Sequence, residues 1–270
     1  MNLVRREFDA LGGACELFAV GLPEERVDAV AEWVHAMHRR LTRFDAGSEL
    51  SALNARAGRW SRVSPELEEL LRAALAAYDQ SGGLVHAGVL PALLAAGYTR
   101  TFAEGPTAAR TPPPPPAPLP ALLDVRRGAA RLAAGAAVDL GGIAKGWLAD
   151  RAAERLGTNA LANMCGDLFA TGDGPEGGGW PVGFGDTTVL LRDDGAATSG
   201  TAPRAWGEGM HHLVDPRTAR PAKTDLAFVS VIASSGQRAE VLAKTALLLG
   251  REAAGPYLEG RARGWHLSNR

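Results

Sequence analysis

Cysteine is scarce in this 270-residue chain, where Cys15 and Cys165 are the only two. Two cysteines make neither a disulfide framework nor, by themselves, a zinc site, and a reducing compartment is the simplest reading. An excess of one charge is also lacking: 29 Lys and Arg stand against 30 Asp and Glu, for a net charge of −1. That balance argues against a general nucleic-acid binder, which carries a basic face. No stretch reaches the ~18 apolar residues of a membrane span without charge or glycine. A secretory leader is not expected from the first twenty residues, because Arg5, Arg6, Glu7 and Asp9 occupy the place of its apolar run. "GGAC" at 12–15 is a faint likeness of a lipoprotein box, with no apolar segment before it. The expected location is the cytoplasm.

What is present is an irregular mixture of strand and helix patterns. Residues 3–20 alternate as one or two strands broken at Gly12-Gly13. Val27, Val30, Val34, Met37 and Leu41 recur at helical spacing between Pro23 and Thr42. A short helix capped by Ser48 or Asp45 follows, then one that starts at Ser64-Pro65 and stops near Ser81. Residues 89–96 form another short helix. "TPPPPPAPLP" at 111–120 favours an extended surface connector; a PxxP ligand is the lesser reading. Beyond it come a strand, a turn at Arg127-Gly128 and further strands up to Asp139. A helix over 144–156 ends at Gly157, and "NALANMCGDLFATG", "WPVGFGD", "TTVLLRDDGAATSG" and "LAFVSVIAS" are strand-like. A helix ends in Gly250 and "GWHLSNR" is a last strand. Without strict βαβ alternation, an α+β fold fits best.

Several stretches carry candidate chemistry. "VDLGGIAKGWLAD" places Asp139, Gly141, Gly142 and Lys145 around a turn that opens a helix. Helix N-terminal amides and a lysine both attract phosphate. Asp139 would repel it unless it meets a ribose hydroxyl, a ring N–H or a metal ion. A tight turn with an exposed lysine explains the same residues equally well. "HHLVDPRTARPA" joins His211 and His212 to Asp215 in a proline-marked turn, and histidine suits proton transfer near neutrality. "GAATSG" offers Thr198, Ser199 and Gly200 to a ligand. In "ANMCGDLFATG", Gly166 allows close approach between Asn163 and Asp167.

Taken in order, "LTRFDAGSELSALN", "SGGLVHAGVLPALLAAGY", "VDLGGIAKGWLAD", "ANMCGDLFATG", "ATSG", "HHLVDPRTARP" and "AEVLAKTALLLG" resemble the FAD:protein FMN transferase, or ApbE, family. The likeness runs from about residue 8 to 265. It implies a single α+β domain over 1–270, related to T-fold proteins, with a mixed sheet and flanking helices. It also implies FAD with Mg2+ and transfer of FMN to a threonine of a target flavoprotein, releasing AMP. Two other outcomes belong to the resemblance: a flavin-binding protein with little or no transfer, or an FAD pyrophosphatase giving FMN and AMP. The family's redox partners are membrane-associated respiratory and flavin-carrying proteins.

Residue by residue, the resemblance sets Leu11 beside the flavin and Phe44 at an aromatic position packing on FAD. Leu84, Val85 and His86 fall in a cofactor-contacting segment. Asp139 and Lys145 match FAD contacts, and Asn163, Gly166, Asp167, Thr198, Ser199 and Gly200 join them. The Gly142 carbonyl matches a metal ligand. His212 matches a histidine near the accepting threonine, where it would act as general base. The late helix departs from the pattern, with Glu240 and Lys244 where the family has Asp and Thr. Glu240 retains oxygen ligands for Mg2+. Lys244 has no acceptor, so its ammonium would stand in for part of the metal's charge. His86 replaces a usual Asp, and Cys165 and Ala219 each replace a glycine.

Overall fold

The computed structural model describes residues 2–184 and 187–269, so Gly185 and Asp186 at the end of the expected "WPVGFGD" strand lie outside the described residues. The chain runs β1 (Leu3–Ala10), β2 (Gly13–Val20), α1 (Glu24–Leu41), α2 (Glu49–Ala55), β3 (Ser61–Arg62) and α3 (Pro65–Gln80). Next come α4 (Leu90–Ala95), α5 (Leu119–Leu122), β4 (Leu123–Arg126), β5 (Ala129–Leu132), α6 (Ala144–Leu156), β6 (Ala160–Met164) and β7 (Asp167–Thr171). Then follow β8 (Trp180–Phe184), β9 (Thr187–Leu191), β10 (Asp194–Gly200), β11 (Val214–Asp215) and β12 (Arg220–Pro221). The last elements are β13 (Leu226–Ala233), α7 (Gly236–Leu249), α8 (Arg251–Leu258) and β14 (Gly264–Asn269). The fold is α+β and forms two compact units. The first takes Met1–His38, Ala144–Ser199 and Leu226–Arg270; the second takes Arg39–Ile143 and Gly200–Asp225.

The first unit is built on a seven-stranded sheet in the order β1-β2-β6-β7-β10-β13-β14. Strand alternation buries Cys15, Leu17 and Ala19 on one face of β2. Phe18 and Val20 on the other face pack with Leu161, Leu168, Trp180 and Leu191. Helix α6 packs on β6 and β7, and α7 on β13. Two hairpins close through two-residue turns, Leu11-Gly12 and Cys165-Gly166, whose φ angles are 58 and 81, then 57 and 93. Left-handed turns of this kind match the twist of paired strands. Leu11 and Cys165 adopt the conformation despite their side chains, at about 1–2 kcal/mol each.

Helix α7 starts at Gly236, three residues before the expected pattern, because its first amides have partners. Ser235 Oγ accepts the Arg238 N–H at 3.1 Å. Asp150 on α6 accepts the Gly236 N–H at 2.6 Å and the Gln237 N–H at 3.1 Å. Helix α8 is absent from the sequence reading, since Gly255-Pro256 reads as a breaker; burial of Ala254 and Leu258 holds it.

In the second unit, Ser48 and Ser64 cap α2 and α3, each accepting the N–H three residues on. The strands expected up to Asp139 end instead at Leu132. Beyond it the Val138 N–H and C=O pair with the side-chain amide of Asn54 at 2.8 and 2.9 Å, and the Asp139 N–H meets the Ala87 carbonyl at 2.8 Å. An amide side chain satisfies this backbone, so no ladder continues. The expected connector is also shorter at its far end, for Leu119 and Pro120 open α5, with Leu119 fully buried. Among the described residues, no helix is long and apolar enough to cross a membrane.

Helices α6 and α7 approach so closely that a Cβ on Gly146 would lie 2.5 Å from the Gly236 carbonyl oxygen. Gly146→Ala is therefore expected to destabilise the fold by about 1–3 kcal/mol, read from the denaturant midpoint. Burial raises the Asp150 carboxyl to about 6. A raised folded-state pKa means stability present below about pH 4 and lost as pH rises through 6. Asp150→Asn should flatten that part of the stability profile between pH 4 and 7, while an unchanged slope would show that Asp150 is not its source.

Candidate functional site

The first unit gathers four of the expected residues into one buried charge cluster. Helix α6 presents Lys145 from its first turn, β7 presents Asp167 from just beyond the Cys165-Gly166 turn, and α7 presents Glu240 and Lys244 one turn apart. Lys145 Nζ donates to Asp167 Oδ2. Glu240 Oε2 accepts the Gly146 N–H at 3.0 Å. Its Oε1 lies 3.5 Å from Lys244 Nζ and 4.0 Å from Lys145 Nζ. The carboxylates are almost wholly buried, and the Lys145 and Lys244 side chains are 20% and 13% exposed.

Burial and neighbouring charge pull these groups in different directions. Burial lowers Lys145, but Asp167 and Glu240 outweigh it and its pKa ends above the ordinary lysine value. For Lys244, burial dominates and the pKa falls below that value. Burial raises Asp167 to about 6, against the pull of Lys145. Lys145 is thus the firmly held cation of the pair.

This donor set does not fit the Mg2+ that the resemblance implies. Mg2+ needs near-octahedral oxygen donors at about 2.0–2.1 Å. One Glu240 oxygen is hydrogen-bonded to backbone, the other faces two ammonium groups, and Lys244 offers no lone pair. Among the described residues, no three His, Cys, Asp or Glu side chains gather as a ligand set.

The turns beside the cluster carry the unit's remaining candidates. Asn163 Oδ1 accepts the Gly166 N–H at 2.8 Å, bracing the turn that leads to Asp167. Cys165 Sγ lies 3.7 Å from Cys15 Sγ, and the Leu11 N–H donates to His38 Nδ1 at 3.3 Å. The hydrogen bond to Cys165, with burial behind it, pushes the Cys15 thiol far above its usual range. Thr198 is exposed on β10 with its hydroxyl 2.8 Å from that of Ser230, and Ser199 is buried.

The second unit holds a cation that sequence reasoning missed. The Arg43 side chain is 4% exposed; its Nε donates to Asp139 Oδ2 at 2.6 Å and another nitrogen donates to the Tyr98 carbonyl at 2.9 Å. Its guanidinium lies 4.1 Å from the Phe44 ring centre and 4.7 Å from that of Tyr98. Tyr98 stacks in turn near Trp206 at 5.4 Å. Asp139 therefore carries a compensated charge, and its other oxygen accepts the Gly141 N–H at 2.8 Å. Arg43 sits inside the quoted "LTRFDAGSELSALN", but its partner lies 96 residues away, which no local pattern displays.

Leu84, Val85 and His86 are all buried. The His86 Nδ1 accepts the Gly88 N–H at 3.0 Å and its Nε2–H donates to the Ala117 carbonyl at 3.1 Å, so both ring nitrogens serve the fold. Burial lowers its pKa and keeps it neutral. His211 is likewise occupied, with Nδ1 accepting from Leu213 at 3.3 Å and Nε2 donating to Ala222 at 3.0 Å. His212 is half-buried, its backbone N–H donating to the Arg204 carbonyl at 3.2 Å. Asp215 is clamped by Arg217, and Gly142 and Gly200 are half-buried.

Comparison with known proteins adds an independent line. A family model described as the ApbE family matches residues 11–265. A protein named FAD:protein FMN transferase from Treponema pallidum is 34% identical over 143 residues, 44% of this chain and 40% of the relative. Another of that name from Klebsiella pneumoniae is 32% identical over 132 residues, 43% of this chain and 39% of the relative. The aligned stretch thus spans less than half the length of these relatives. The apo flavinyl transferase ApbE of Pseudomonas stutzeri superposes with a TM-score of 0.83 at 21% identity, covering 100% of this chain and 92% of that one. The apbe protein of Thermotoga maritima gives 0.85 at 22% identity, covering 98% and 94%. At such identities the likeness establishes the fold.

Arg43→Met is expected to cost about 3 kcal/mol of stability, because it leaves Asp139 without its counter-charge. Urea unfolding checks this, and a cost within about 0.5 kcal/mol of zero, the range of ordinary surface changes, would show that Asp139 does not need Arg43.

Proposed function

This chain belongs to the ApbE family, and from that membership we propose that it moves FMN from FAD to a threonine of a target flavoprotein, releasing AMP. The observation that carries the reading is the family match itself, which spans 11–265 and so takes in every residue given a role above. The names of the Treponema and Klebsiella relatives support the same substrate pair. The match also runs through both compact units, which supports treating them as one domain. The scarcity of cysteine supports a reducing, cytoplasmic location.

In the reaction, the threonine Oγ attacks the phosphorus of the FMN half of FAD. An Oγ–P bond forms, the P–O bond to AMP breaks, and AMP leaves with the electron pair. The hydroxyl proton passes to His212, the general base. Its neighbour His211 is unsuited to that role, since both of its ring nitrogens are bound to backbone. Lys145 supplies positive charge toward the diphosphate. Leu11, Phe44, Leu84, Val85, His86, Asp139, Asn163, Gly166, Asp167, Thr198, Ser199 and Gly200 are assigned to FAD by the same reading. Mg2+, with Gly142, Glu240 and Lys244 around it, has no step here, because that donor set does not fit it.

Purified chain incubated with FAD and an acceptor flavoprotein from the same genome should yield AMP by chromatography and a fluorescent acceptor band on a denaturing gel. His212→Ala should lower band formation by at least about 100-fold while FAD binding, followed by flavin fluorescence, is kept. AMP with free FMN and no band would replace transfer by hydrolysis. Bound flavin with neither product would reduce the protein to a flavin binder.

A further inference from the structure

Glu240 stands on α7 with its side chain 3% exposed, one oxygen hydrogen-bonded to backbone and the other, buried and without a hydrogen bond, facing two ammonium groups. Oε2 holds the Gly146 N–H at 3.0 Å, fixing the first turn of α6. Oε1 faces Lys244 Nζ at 3.5 Å and Lys145 Nζ at 4.0 Å. Lys145 in turn holds Asp167, so two ammonium groups and two carboxylates share one buried region. Their formal charges cancel.

A divalent cation entering this region would bring two further positive charges to within a few ångströms of two ammoniums. At such separations each ammonium repels each of those charges by about 4 kcal/mol at an effective dielectric of 20, which offsets the attraction of the two carboxylates already facing those ammoniums. It would also have to recruit an oxygen from a carboxylate already hydrogen-bonded, beside a side chain that has no lone pair to give. The spacing of Glu240 and Lys244, one helical turn apart, makes the lysine a fixed occupant of that place.

We infer that Lys244 fills, from within the chain, the place a divalent cation would take at Glu240, and that FAD is bound here without Mg2+. Two ammonium groups, Lys145 and Lys244, carry together the formal charge of one divalent ion. The second half of this inference rests on the flavin reading above; the first half stands on the cluster alone.

The experiment has a flavin-free arm and a flavin arm, both on the full chain. In the first, Mn2+ is added to the protein without FAD and its free six-line electron paramagnetic resonance signal is measured. Wild type should leave the signal unchanged, whereas Lys244→Asn, which puts an amide oxygen beside Glu240, should reduce it. In the second, FAD affinity is measured by fluorescence with Mg2+ or with EDTA. Wild type should differ less than twofold between the two conditions. Lys244→Met, close in volume and uncharged, should bind FAD at least tenfold more weakly in EDTA, with circular dichroism confirming the fold.

Stoichiometric Mn2+ uptake by wild type would overturn the inference, as would a tenfold loss of wild-type FAD affinity in EDTA; in the latter case the flavin reading survives. If wild type binds no FAD in either condition, the flavin reading falls with the second half. The Mn2+ arm then decides the first half alone.

Discussion

The carboxylate of Glu240 receives the Gly146 amide on one oxygen and faces two ammonium groups with the other, and this fixes how α6 and α7 meet. The amide it accepts belongs to the first turn of a helix, where N–H groups lack partners within the helix. Gly146 has to be glycine for the approach, because the Gly236 backbone lies where a Cβ would go. Asp150, one turn further along α6, answers in kind by accepting the first amides of α7. Each helix therefore caps the other with an acid. Lys145 and Lys244 both face the Glu240 carboxylate, which the Gly146 amide anchors.

Such reciprocal capping leaves little freedom to a group that would enter later. A buried carboxylate without a partner is costly, which favours keeping a cation permanently beside it. A lysine on the same helix meets that need without any concentration dependence, whereas a bound ion comes and goes. The differing environments of the two lysines follow the same logic. Lys145 gains more from Asp167 and Glu240 than burial costs it and is stabilised in its charged form; Lys244 loses more to burial and to the neighbouring Lys145 than the same two carboxylates return.

Local features were legible in the sequence wherever a single element contains the whole cause. Ser48 and Ser64 announce their helices because a cap acts three residues away, and Gly157 ends α6 at a φ of 111 for reasons internal to the turn. Where the cause lies elsewhere in the chain, the pattern misleads. Residues 133–139 are expected as strand, but they turn at Gly135, whose φ is 77, and Asn54, 84 positions before Val138, takes the Val138 backbone groups a neighbouring strand would have used. Helix α8 is hidden by Gly255-Pro256, whose breaking tendency yields to the burial of Ala254 and Leu258. The motif order identified the family, and the four-residue spacing pairs Glu240 with Lys244, yet no local pattern says that Lys145 on another helix would face the same carboxylate.

Arg43 illustrates the same limit at the level of chemistry. Asp139 by itself argues against an anionic ligand nearby, and the sequence offers only a hydroxyl, a ring N–H or a metal as ways out. The guanidinium supplies a fourth: the carboxylate is already neutralised, and Phe44 and Tyr98 lie against the cation that does it. A buried arginine between aromatic rings is attracted to their π-faces as well as to the acid, so it is held by several bonds at once. The two charged centres thus share one design, although they are built from different residues. In each, a carboxylate that would repel phosphate is paired within its own unit to a basic side chain held in a fixed position.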